Sequence, residues 1–70
     1  MIMKQLWMRV GTRVLAKGTP AEIVAIWCER IGESEYVRYI DVCIDGRSTI
    51  DCFHPEAIQR DRIQREVAHG

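Results

Sequence analysis

The sequence carries no excess of charge of either sign, its ten Lys and Arg being matched by ten Asp and Glu. That balance removes the strongest electrostatic cue for a nucleic-acid binder or an anionic-membrane binder. Long apolar runs are missing as well. The longest, Ile23 to Cys28, falls far short of the roughly 20 residues that a spanning helix needs. Lys4 and Arg9 interrupt the first ten residues, so no signal-peptide core of about 7–15 apolar residues fits there. Cysteine is scarce and odd in number: Cys28, Cys43 and Cys52 do not make a disulfide framework. These absences together lead us to expect a cytoplasmic protein with reduced thiols and no membrane association.

What remains is a single small domain. Seventy residues leave no room for a second domain at the usual size of roughly 100–200 residues. A chain this short buries only about 60% of its unfolded surface, so its core is thin. The 47% apolar and 29% charged composition is that of a globular protein and argues against disorder. No internal repeat, low-complexity tract or linker is present.

Turn residues fall at short intervals: Gly11, Lys17-Gly18-Thr19-Pro20, Ile31-Gly32-Glu33-Ser34, Asp45-Gly46 and His54-Pro55. Short runs between such signals predict an all-β barrel or sandwich. The runs are Thr12 to Ala16, Ala21 to Glu29, Glu35 to Ile44 and Ser48 to Phe53. The second is rich in β-branched and aromatic residues, with Trp27 the expected core aromatic. In the third, Ile40, Val42 and Ile44 share one face by period two, opposite Asp41 and Asp45. His54-Pro55-Glu56-Ala57 reads as one helical turn, with Pro55 suited to its first position. Ile58 to Arg60 then closes the set.

The expected fold is therefore a small SH3-like five-stranded barrel with one helical turn before the last strand. Residues 1–8 form an arm, 9–60 the barrel and 61–70 a charged tail, for which a short helix carrying Ile63 and Val67 is one reading. The competing assignment runs one helix from Pro55 to Ala68 and gives an α+β domain.

Few constellations point to chemistry. Cys28, Cys43, Cys52 and His54 are soft ligands of the types zinc takes, but the usual paired C-x2-C spacing is missing, and small buried cysteines often fill core gaps. We expect no metal and no cofactor. His54 with Asp51 or Asp41, and Cys52 as nucleophile, lack an oxyanion hole or an ordering third group, so no catalytic residue is assigned. The whole aromatic set is Trp7, Trp27, Tyr36, Tyr39 and Phe53. It could cage a methylated cation but serves more simply as core. Arg60, Arg62 and Arg65 alternate with Asp61 and Glu66, a pattern of local ion pairs on a solvated face.

Two resemblances rest on particular residues. Val10-Gly11-Thr12-Arg13-Val14, Gly18, Ile23-Val24, Asp45-Gly46 and Phe53-His54-Pro55-Glu56-Ala57-Ile58 resemble small SH3-like barrels of the KOW and Tudor type. From Gly11 to about Ile58 the chain also resembles the plasmid-encoded type II dihydrofolate reductases. The matching stretches are Gly11-Thr12-Arg13-Val14, Ile23 to Cys28 and His54 to Ile58. That likeness implies a barrel that assembles as a homotetramer around one active-site pore, lined in the family by a Val-Gln-Ile-Tyr run. The aligned segment here is Asp51-Cys52-Phe53-His54, which keeps none of those four residues, and the basic pair before the first loop is reduced to Ala16-Lys17.

The expected function is that of a non-enzymatic module acting through contacts with a protein partner. Its candidate binding residues are Lys17, Tyr36, Tyr39, Asp45, Arg47 and His54, on loops and strand surfaces. A type II reductase-like oligomer with an altered pore, or a nucleic-acid-binding small barrel, are the alternatives. Self-association is expected too. Period two divides the second run into Ile23, Ala25, Trp27 and Val24, Ile26, Cys28, so both faces are apolar and one needs cover. A homo-oligomer with Val24 and Ile26 near its interface would supply it.

Overall fold

The structure, a computed structural model, describes residues 1–61. Among the described residues, six strands and one 3-10 turn follow in order: β1 (Ile2–Met3), β2 (Arg13–Ala16), β3 (Thr19–Ile31), β4 (Ser34–Ile44), β5 (Ile50–Phe53), the turn Pro55–Ala57, and β6 (Ile58–Arg60). All pairings are antiparallel, in the order β1-β4-β3-β2-β6, with β5 also on β4. The sheet curls into a half-barrel. The small all-β barrel class with a helical turn before the last strand therefore holds. The N-terminal arm contributes a sixth strand, because Ile2 and Met3 pair with Val37 and Tyr36. Along β4, β1 and β5 share one edge, β1 at Tyr36–Val37 and β5 at Ile40–Cys43.

Local chemistry explains the turns. Ala16 pairs with Thr19, so Lys17 and Gly18 alone make the first hairpin turn, with φ of 50° and 84°. A two-residue turn with both central residues at positive φ matches the right-handed twist of its strands. In the hairpin between β3 and β4, where Ile31 pairs with Ser34, Gly32 alone takes positive φ, at 63°, the glycine-first turn that also suits this twist. The 3-10 turn has Pro55 at its start, and the Ile58 N–H donates to the Pro55 carbonyl. Beyond that the chain is extended against β2, which rules out one helix from Pro55 to Ala68. The tail reading, including Ile63 and Val67, lies outside the described residues.

The core is Met8, Val14, Ala16, Ala21, Ile23, Val37, Ile40, Val42, Ile44 and Ile58. Met8, only 1% exposed, reaches the core from the arm, whose backbone folds back through Met8 N–H to the Gln5 carbonyl at 3.0 Å. Trp27, against the expectation of a core aromatic, is 58% exposed and lies outside the core. The cause is a bulge. Ile23 lies opposite Val42 and Ala25 opposite Asp41, so Val24 is an extra residue on β3. One extra residue reverses the alternation beyond it. Ile26 then lies opposite Ile40 and packs against the core, while Trp27 lies opposite Tyr39 on the outer surface.

Candidate binding surface

The hairpin turn at Lys17-Gly18, the 45–49 connection and β5 meet at one end of the half-barrel. Between them is a pocket of about 230 Å³ lined by Ala16, Lys17, Thr19, Ile44, Arg47, Asp51 and Phe53. Asp51 and Phe53 alternate along β5, opposite the buried Val42 and Ile40, and therefore share the concave side. Lys17 Nζ sits 5.9 Å from the centre of the Phe53 ring, within the range of cation–π attraction. The Lys17 N–H donates to the Ala57 carbonyl at 3.0 Å, which ties the hairpin turn to the 3-10 turn. The pocket thus offers an apolar floor, one aromatic face, two cationic side chains and one carboxylate.

The residues singled out in the sequence divide into separate places. Lys17 and Arg47 come together in this pocket. Tyr39 and His54 meet on the outer surface, with ring centres 5.2 Å apart and planes tilted by 39°. Asp45 is engaged by Arg13, whose Nη2 donates to Asp45 Oδ2. That hydrogen bond holds the Arg13 pKa above its ordinary value. Tyr36 lies away from the pocket, between Met3 of β1 and Glu29 of β3. Val24 sits half-buried at the bulge, and Ile26 faces inward. Asp51 and Phe53, which the sequence offered only in the segment aligned with the reductase pore and not as binding residues, line the pocket too, with Thr19, Ala16 and Ile44. Period two on β5 would have placed the first two side by side, had the inward face of so short a strand been known.

The outer surface carries a second polar arrangement. Trp27 Nε1 donates to Asp41 Oδ2 at 2.9 Å. Cys52, paired with Asp41 across β4 and β5, has its thiol pKa raised, first by a hydrogen bond to Asp41 and then by desolvation and by the Asp41 charge. A thiol held protonated is a poor nucleophile at neutral pH. All three cysteines are free. Among the described residues no group of three or more His, Cys, Asp or Glu is placed to hold a metal ion. No helix among them is long and apolar enough to cross a membrane.

A larger groove of about 500 Å³ lies between the arm and the tip of the β3–β4 hairpin, lined in part by Met3, Leu6, Arg9, Glu33 and Glu35. Leu6 there is 95% exposed. No sequence pattern marked it, because nothing local says that the arm folds beside that hairpin. No family model, curated protein or solved structure matches this chain.

Proposed function

We propose that this chain is a non-enzymatic binding module of SH3-like, KOW or Tudor-like form that acts through protein–protein contacts and self-associates. The observation that carries the reading is the pocket that Lys17, Arg47 and Phe53 line together, with Lys17 over the Phe53 ring. Two cations beside an aromatic face suit a segment of a partner protein that presents an acidic side chain next to an apolar one. Asp51 in the same pocket sets a direction for that segment, since it repels an acid and accepts a donor. The fold supports the reading because the pocket is built from turns and a strand end around a packed sheet, where binding residues commonly sit.

The test is capture with the full chain, wild type against Lys17→Glu/Arg47→Glu. Proteins retained by the wild type and lost from the double variant are expected. Equal recovery by both would remove the pocket from the binding surface. A type II dihydrofolate reductase-like enzyme remains the second reading on one observation: the segment aligned with the family's pore lines this pocket through Asp51 and Phe53. Asp51 puts a charge where the family has none, which argues against that chemistry. NADPH-dependent turnover of dihydrofolate that disappears on changing Phe53 would reverse the ranking.

A further inference from the structure

β2 covers only the first part of β3. Their ladder spans Thr19 to Glu22, and Gly11 and Thr12 extend it to Ile23. Beyond Ile23, β3 pairs with β4 along one edge only, and no described residue pairs with the other. The β3–β4 hairpin is long enough to carry this edge clear of the barrel. Thirteen residues at about 3.3 Å each reach roughly 40 Å, in line with the longest dimension of 42 Å.

An unpaired edge is a template for another strand, and proteins usually blunt it with Pro, Lys or a bulge. Residues 24–31 contain neither Pro nor Lys. The one bulge on β3 lies at Val24, and the later irregularity leaves the extra residue on β4, at Arg38. The stretch 25–31 of β3 therefore carries no extra residue of its own, and no described residue pairs with its outer edge. Glu29, the acidic residue within it, is already bonded by Arg38 at 2.7 Å.

We infer that the free edge of β3 pairs antiparallel with the same edge of a second copy, about a twofold axis at Cys28, the midpoint of 25–31. This inference rests on the proposed self-association and names its surface. The stretch is self-complementary in that register. Antiparallel pairing about Cys28 sets Ala25 opposite Ile31 of the second copy, Ile26 opposite Arg30, and Trp27 opposite Glu29. Ile31, 49% exposed, gains an apolar neighbour, and the Arg30 stem lies along Ile26. No like charges stand directly opposite, an arrangement that would weaken the pairing. A chain without net charge also brings no general repulsion to a copy of itself. Pairing keeps the inner face of one copy continuous with that of the other, which places Ile26 near the interface while leaving it on the core.

The experiment combines sedimentation of the full chain over a range of concentrations with cross-linking by a short bifunctional maleimide. The variants are Cys43→Ser/Cys52→Ser, which keeps Cys28 alone, and Cys28→Lys. Residues directly opposite on paired strands have Cβ atoms about 4.5–5.5 Å apart, within reach of the reagent. A dimer whose Cys28-only form cross-links efficiently is expected. Cys28→Lys puts two ammonium groups face to face on the axis and should weaken dimerisation by about tenfold, recovering partly in high salt. Circular dichroism should show Cys28→Lys still folded, since Cys28 is exposed. A dimer that does not cross-link through Cys28 and tolerates Cys28→Lys would overturn the edge while leaving self-association standing. A monomer at high micromolar concentration would overturn both.

Discussion

The bulge at Val24 makes a sharp prediction, because it exchanges the roles of two adjacent residues. Simple alternation from Ile23 puts Trp27 in the core and Ile26 outside. In the structure Ile26 packs against the core and Trp27 is 58% exposed. Truncating a buried Ile to Ala costs about 2–5 kcal/mol. Ile26 is only partly buried, so Ile26→Ala should cost about 2 kcal/mol. Trp27→Ala loses an exposed hydrogen bond to Asp41 and the covered part of the ring, together about 1 kcal/mol. A domain of this size has roughly 4–10 kcal/mol in total, so both variants remain folded and measurable. Urea unfolding at one fixed protein concentration reads the difference. With a slope of about 1–1.5 kcal/mol per molar, Ile26→Ala should move the midpoint by about 1.5 M and Trp27→Ala by less than 1 M. A loss for Trp27→Ala equal to or larger than that for Ile26→Ala would mean that no bulge reverses the strand.

Two other outcomes follow from single contacts. Met8→Ala, at a site 1% exposed, should cost about 2–4 kcal/mol, and a loss below 0.5 kcal/mol would mean that the arm does not plug the core. Cys52 should alkylate more slowly at mildly alkaline pH in the wild type than in Asp41→Asn, because Asp41 raises its pKa. The sign follows from linkage: a thiol pKa raised by folding favours the folded state below its unfolded pKa, and that contribution is lost as pH rises through the folded one. Asp41→Asn should shift the alkylation profile of Cys52 to lower pH, and an unchanged profile would remove Asp41 as the cause.

The fold was legible because its signals are local. Lys17-Gly18, Gly32 and Asp45-Gly46 each fall in an observed turn between strands, and Pro55 opens the 3-10 turn before β6. Each such signal acts within four residues of chain, through a fixed φ or a missing N–H. The partners of the arm were not legible. Ile2–Met3 pairs with a strand more than thirty positions on, and a two-residue strand has no period to detect. The pocket was half legible for the same reason. Lys17 and Arg47 stand out as loop cations, but only the pairing of β5 with β4 turns Asp51 and Phe53 toward them.

The bulge at Val24 decides which part of β3 is left unsatisfied. Read with unbroken alternation, β3 has two apolar faces, and the excess demands a cover over Val24 and Ile26. One extra residue removes that demand. Ile23 and Ile26 both face inward, three positions apart, and the outer surface keeps Ala25 and Trp27. Trp27 is amphipathic and its Nε1 is satisfied by Asp41, so it tolerates water where an isoleucine would not. The case for a second copy thus moves from the face of the strand to its edge. There the unmet groups are backbone N–H and C=O, which water satisfies in a monomer and a paired strand satisfies in a dimer. A face is matched by any apolar surface of sufficient area. An edge demands a register, and a register can be read residue by residue at Cys28.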